Sequence, residues 1–354
     1  MKRVLFAAGG TMGHLGPAIA VATALSKESP TTQISFIGTG SGVESAVEIP
    51  FPKNRIIKVP LPRTLGFSLF LFPLRLAIAV IQAMRWVARV DGVVGFGGYV
   101  ATPVYIAAWL LRRRIILHEA NALPGFANRV GKALGAECFA NFERVGSTWD
   151  CPVVGMPLRE EIIDLAKELQ QQGLNDPSRE SFEGKKVLVM GGSQGSIRIN
   201  EAMWSALPRL DRGITILHAV GAGNVDRIPM EAKRDGYQAV AFISEMAEAY
   251  RSADLVIARA GAVTCAELLA LGKRAILVPL GHGNGEQALN ADELVTSGNA
   301  IAIRDAKFDS GWLTENLPRA LALQPRLPSN PRLSAVEIMV RSILSSSSKS
   351  RFTR

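Results

Sequence analysis

A histidine directly after a glycine turn, His14 in GGTMGH, stands where an imidazole could take a proton from an attacking hydroxyl. A lone histidine is as readily a structural or solvent-facing residue. Far along the chain, Arg259, Ala260 and Gly261 turn an apolar run into a helix-forming one, so the backbone N–H groups of Ala262, Val263 and Thr264 precede the first helical hydrogen bond. Such a helix start is a site for a diphosphate anion. Glu267 follows one turn later, where a carboxylate can accept hydrogen bonds from ribose hydroxyls; the plainer alternative is an ordinary helix carrying a surface glutamate. Ser193 and the amides after it in GGSQGS form a second phosphate cradle. Arg159 either pairs with a diphosphate or is a plain surface arginine.

The elements that must position these groups follow one plan, an apolar strand, a glycine loop and a helix, which is the signature of an α/β fold. Asp254 to Asn290 is a complete βαβ unit, with a strand at Leu255–Ala258 and a helix from Ala262 to Leu271 closed by Gly272. Val4–Ala8 leads into GGTMGHLGPAIAVATAL, where Thr11, Met12 and Gly13 bring backbone close to a ligand, and Asp91–Gly95 leads into GFGGYV. Ile115–Leu117 ends in HEANALPG, which places Asn121, Pro124 and Gly125 after a strand's carboxyl end, where α/β folds bind ligands. Val187–Met190 precedes GGSQGS. Further strands are expected at Ile34–Gly38, Ile56–Val59, Ile214–His218 and Ala239–Phe242, the last closed by Ile243, with His218 structural. Val153–Arg159 reads as a short strand and proline turn linking two halves, and residues 168–184 as exposed connection. Residues 301–354 are expected to finish the fold with helices, ending in a disordered SSSSKSRFTR tail.

At 354 residues the chain is long enough for two domains, and 48% hydrophobic content with 33 glycines fits α/β architecture. The net charge of +9 is uneven: residues 1–150 carry 16 Lys+Arg against 8 Asp+Glu, whereas residues 151–354 carry 24 against 23. The basic first half could meet an anionic membrane, nucleic acid or a phosphorylated substrate. Cys138, Cys151 and Cys265 show neither paired nor metal-binding spacing, which implies a reducing compartment. The opening MKRVLFAAGG has too short an apolar run for a signal sequence. Phe67 to Trp86 is the most apolar segment, but Pro73, Arg75 and Arg85 argue for a helix on the fold, either wholly buried or with one greasy edge on a membrane surface, over one that spans a bilayer.

Taken together, GGTMGH, GFGGYV, HEANALPG, GGSQGS, RAGAVTCAELLALG and EQALNA resemble, in order and spacing, the MurG family of bacterial peptidoglycan transferases, which add N-acetylglucosamine to the lipid I intermediate. The resemblance implies two Rossmann-like domains facing a cleft, the GT-B type of glycosyltransferase. It divides the chain into an acceptor and membrane-facing domain at 1–158, a UDP-sugar-binding domain at 159–335, and a C-terminal helix and tail at 336–354 that pack back on the first domain. It further implies that Arg159, Ser193, Ile243 and the run Ala262, Val263, Thr264, Cys265, Ala266 and Glu267 hold UDP-N-acetylglucosamine, with Gln287 near the sugar. Thr11, Met12, Gly13 and Asn121 then complete the site, and His14 lies by the reacting hydroxyl. Met12 stands where the family pattern has Gly, and Ala120 where it has Gln. The implied reaction is an inverting transfer with no cofactor and no metal, on the cytoplasmic side of the cell membrane. Its partners are lipid I, the undecaprenyl-pyrophosphoryl-muramyl-pentapeptide, and an anionic membrane surface, not nucleic acid. A UDP-N-acetylglucosamine 2-epimerase-like isomerase and a non-catalytic nucleotide-sugar-binding protein are the rival readings; a nicotinamide dehydrogenase lacks its G-x-G-x-x-G spacing.

Overall fold

The computed structural model describes residues 1–40, 48–59, 67–172, 184–232, 234–281 and 284–345. It divides into two compact units, one of Met1–Arg159 with the chain from Arg332, the other of Glu160–Pro331.

The first unit runs β1 (Arg3–Ala7), α1 (Met12–Glu28), β2 (Gln33–Gly38), β3 (Lys53–Arg55), α2 (Phe67–Val87), β4 (Gly92–Gly95), α3 (Ala101–Leu110), β5 (Arg114–Glu119), α4 (Phe126–Ala133), β6 (Glu137–Ala140) and α5 (Glu143–Trp149). Its strands form one parallel sheet in the order β3-β2-β1-β4-β5-β6. The central strands β1, from Val4 on, and β4 are unbroken buried runs because helices cover both faces, so alternate residues have no solvent side to reach. Leu5, Val93 and Leu117 join Val80, Ala83 and Val87 of α2 and Val104 and Tyr105 of α3 in one core.

The second unit repeats the plan with α6 (Glu160–Gln172), β7 (Lys186–Met190), α7 (Ile197–Ala206), β8 (Thr215–Ala219), β9 (Tyr237–Val240), α8 (Met246–Ser252), β10 (Leu255–Ala258), α9 (Ala262–Ala270), β11 (Arg274–Leu277), α10 (Glu286–Thr296), β12 (Ala300–Ala302) and α11 (Ser310–Leu321). The sheet order is β12-β11-β10-β7-β8-β9, again all parallel. In both sheets the connections reverse direction between the first and fourth strands, β1 and β4 in one, β7 and β10 in the other. That reversal opens a crevice at the carboxyl edge, where doubly wound sheets bind ligands.

The chain then returns to the first unit as α12 (Ala335–Leu344), which packs on α1. The amino group of Met1 donates to Ile343 O at 2.8 Å, and Arg114 reaches Ser345 O at 3.0 Å and Glu137 at 2.6 Å.

Several elements differ from the sequence expectation. The third strand is Lys53–Arg55, not Ile56–Val59; Ile56 and Val59 are buried in irregular chain. The ninth strand ends at Val240, so Ile243 lies beyond it. Val153 forms only an isolated bridge to Ala140, not a strand. β6 and β12 went unanticipated, so the region after 301 is entered from a strand. No described helix is long and apolar enough to cross a membrane. Most of the 168–184 connection and all but the first residue of the serine-rich tail lie outside the described residues.

Candidate active site

At the carboxyl edge of the first sheet, Thr11 is the N-cap of α1, but its hydroxyl contacts His14 Nδ1 at 3.1 Å instead of capping the helix. The imidazole therefore has a fixed orientation. It lies over the glycine turn that follows β4: a Cβ added to Gly97 would stand 3.4 Å from His14 Nε2, so these glycines leave the space the ring uses. Met12 is the first helical residue of α1, and no positive φ is recorded there, so the side chain that replaces glycine is carried without backbone strain.

Asn121 belongs to a loop organised by Glu119, a buried carboxylate at the end of β5 that sequence reasoning passed over. Glu119 accepts from the amides of Asn121 at 2.9 Å and Gly125 at 3.0 Å, and from Asn128 Nδ2 at 3.0 Å. Asn128 in turn accepts from the Tyr105 hydroxyl at 2.9 Å. Burial pushes the Glu119 carboxyl above its ordinary range while these donors pull it back. The next-door His118 is fully buried, and its Nε2 donates to Gly155 O at 2.8 Å. Desolvation holds it down to about 4, which leaves it neutral. Arg159 closes this unit's segment, half-buried just before α6 begins.

At the carboxyl edge of the second sheet, the loop after β7 holds Ser193 exposed, and the loop after β10 starts α9 at Gly261 with no side-chain cap. Cys265 N bonds back to Gly261 O at 2.9 Å, so the N–H groups of Ala262, Val263 and Thr264 stand ahead of that first bond. Cys265 itself is buried, and desolvation pushes its thiol up to about 12, which favours the protonated form. Glu267 is buried, not at the surface, and accepts from the Tyr250 hydroxyl at 2.9 Å. Ile243 is also buried. Gln287, in the first turn of α10, accepts from Leu280 N at 3.0 Å, and Asn290 Nδ2 donates to Ala260 O at 3.3 Å, which ties α10 to the turn before α9.

By sequence Arg259 is only a turn residue, yet in the fold it joins the loops after β7, β11 and β12. Its guanidinium donates to Ser196 Oγ at 2.7 Å, Val278 O at 3.1 Å and Asp305 Oδ1 at 2.5 Å. An arginine directly before a glycine–helix turn was the available signal; its partners, distant in sequence, were not. The structure thus gathers Ser193 and the Ala262–Glu267 run at strand ends of one sheet, and Thr11, Met12, Gly13, His14 and Asn121 at strand ends of the other.

A family model for the glycosyltransferase family 28 N-terminal domain matches residues 4–136, and one for the family's C-terminal domain matches residues 186–339. The chain belongs to glycosyltransferase family 28. Its relatives include the UDP-N-acetylglucosamine–N-acetylmuramyl-(pentapeptide) pyrophosphoryl-undecaprenol N-acetylglucosamine transferase of Thermobifida fusca, 41% identical over 89% of this chain and 84% of that protein. The protein of the same name from Rhodococcus erythropolis is 40% identical over 92% of this chain and 87% of its own. Among solved structures, MurG of Acinetobacter baumannii superposes with a TM-score of 0.72 at 27% identity, covering 97% of this chain and 99% of that one. A UDP-N-acetylglucosamine 2-epimerase from Listeria monocytogenes, described as putative, shares the fold at 13% identity and a TM-score of 0.63. The two Rossmann-like units of this family 28 chain are of the GT-B type.

Proposed function

We propose that this protein transfers N-acetylglucosamine from UDP-N-acetylglucosamine to lipid I, producing lipid II for peptidoglycan. The observation that carries this reading is identity of about 40% with transferases of that activity across nearly nine tenths of the chain. The donor is assigned to the unit Glu160–Pro331 and the acceptor to the unit that contains His14.

In the chemistry that fits these residues, a muramyl hydroxyl attacks the anomeric carbon while UDP leaves from the opposite face. Negative charge grows on the departing diphosphate, and the N–H groups at the start of α9 stabilise it by hydrogen bonding and by the helix dipole, with Arg159 as a counter-charge. Ser193 extends this cradle, Glu267 takes the ribose, Ile243 flanks the uracil and Gln287 meets the sugar. In the tautomer that donates Nδ1–H to Thr11 Oγ1, His14 presents Nε2 as the base for the attacking hydroxyl. His14→Ala should therefore depress turnover far more than donor binding.

The same reading places the first unit on the cytoplasmic face of an anionic membrane, where the acceptor resides, and gives its basic surplus to lipid and not to nucleic acid. Leu74 and Ile81 of α2 are 59% and 68% exposed, and Arg85 and Arg89 both lie on the Trp86 ring. Trp109 and Leu110 of α3, itself packed against α2, add exposed apolar surface next to Arg112 and Arg113.

The deciding experiment follows radiolabelled sugar from UDP-N-acetylglucosamine into lipid I, with and without a chelator. Transfer that survives chelation is expected. Epimerisation of donor incubated alone, with no transfer to lipid I, would replace this reading with the isomerase.

A further inference from the structure

Four successive loops at the carboxyl edge of the first sheet meet around one side chain, Tyr99. The sheet order β3-β2-β1-β4 sets the ends of these strands side by side, and Tyr99, in the loop after β4, crosses the other three. Its ring lies over Gly10, after β1, where an added Cβ would come within 2.9 Å of Tyr99 Cε1. Its hydroxyl lies 3.4 Å from Thr39 Oγ1, after β2. Its face carries the ammonium of Lys58, after β3, with Nζ 5.2 Å from the ring centroid. Lys58 is exposed, and among the described residues its electrostatic partner is this ring, with no carboxylate paired to it. A cation so placed is oriented without being neutralised.

The glycine pair that carries Tyr99 also borders His14. A Cβ on Gly98 would stand 3.4 Å from His14 Nδ1, one residue from Tyr99 itself. The imidazole and the Lys58 ammonium thus belong to one continuous edge, the base at the helix start after β1 and the cation further along the sheet towards β3.

We propose that Lys58, steadied on Tyr99, binds the diphosphate of the lipid-linked acceptor, while the sugar hydroxyl at the other end of the same acceptor faces His14. The inference rests on the transferase reading above. A diphosphate suits the site better than a single carboxylate, because an exposed ammonium gains most from a multiply charged, hydrogen-bond-accepting partner. Tyr99 fixes the direction of approach, and the Thr39 hydroxyl beside it adds a polar contact.

The test uses the full-length protein in detergent with two soluble acceptors, one with the muramyl pentapeptide on a short prenyl diphosphate, the other on a prenyl monophosphate. Lys58→Met should raise the KM for the diphosphate acceptor about tenfold, the size expected for one lost charge-assisted contact, and leave the KM for UDP-N-acetylglucosamine in place. The wild-type preference for diphosphate over monophosphate should shrink in the same variant, and Lys58→Arg should restore most of it. An unchanged acceptor KM, or an equal loss with both acceptors, overturns the assignment. So does weaker binding of Lys58→Met to phosphatidylglycerol vesicles without acceptor, if the acceptor KM in detergent stays put; the lysine then serves the membrane lipid. Failure of the wild-type protein to use either acceptor would instead strike at the transferase reading itself.

Discussion

Tyr250 donates its phenolic hydroxyl to Glu267 Oε2 across 2.9 Å, and both side chains are buried, Glu267 within α9. For the ribose contact proposed above the carboxylate needs a fixed plane, and this bond supplies one from α8. Tyr250→Phe keeps the ring and removes the bond, which leaves the carboxylate a donor short at a cost of about 1–3 kcal/mol. UDP affinity, measured by titration calorimetry, should fall by a factor of about five to ten. The loss should be much smaller for UDP lacking its 2′-hydroxyl, since the fault lies in ribose recognition. Equal losses for both nucleotides would show that Tyr250 acts on packing alone.

Arg259 and Asp305 make a second relationship of this kind, one that concerns stability before affinity. The pair is largely buried, and the same guanidinium holds the glycine loop through Ser196. Asp305→Ala strands a charge in a low-dielectric setting, for which about 2–3 kcal/mol of destabilisation is expected. Urea unfolding should register it, and UDP binding should weaken with it as the loop after β7 loosens. Wild-type stability in the variant would mean that Val278 O and Ser196 alone suffice to hold the arginine.

The glycine loops, their order and the doubled α/β plan were legible from the chain, because each follows a short apolar run and a strand-to-helix turn has few residue solutions. Legibility failed where apolar residues continue beyond the end of a strand. Ile56 and Val59 look like a strand, but Ile57 N is satisfied by the Gln82 side chain and the true strand is the polar Lys53–Arg55 on the sheet edge. Around the ninth strand, Tyr237 and Ala239 face the core while Phe242 is 64% exposed, so hydrophobicity alone set the register two residues late. Tyr250 and Asp305 could not be assigned from local pattern, because their partners lie 17 and 46 residues away and only tertiary packing brings them together.

Two glycines of one loop separate steric from conformational demand. Gly195 has φ +75°, and a Cβ there would stand 1.9 Å from Val220 O; Gly192 has φ +89° with nothing within 4 Å. Gly192→Ala should cost only the left-handed backbone term, about 1–2 kcal/mol. Gly195→Ala must also displace the Val220 carbonyl, which Asn200 and Asn224 hold with 2.9 Å bonds, so at least about 3 kcal/mol is expected. Thermal unfolding of the two variants side by side tests the difference; equal melting temperatures would contradict this geometry.

His218 gives the unit of Glu160–Pro331 a dependence on pH. Asn200 Nδ2 donates to Val220 O, so its Oδ1 faces His218 Nε2 at 3.1 Å and that nitrogen carries the proton. Nδ1 then accepts from the Tyr237 hydroxyl at 2.9 Å, which itself accepts from Trp204 Nε1 at 2.8 Å. Desolvation lowers this histidine to about 4 from the 6.5 of an unfolded chain. Between those values the unfolded state binds more protons, so stability is complete above about pH 6.5 and falls as the pH drops towards 4, by on the order of 3 kcal/mol in all. The buried His118, also at about 4, adds a similar slope in the other unit, so a single substitution removes only part of the effect. In His218→Gln the fall in unfolding free energy from pH 7 to pH 5 should be visibly shallower than in the wild type, and a slope identical to wild type would show that His218 is already protonated in the fold.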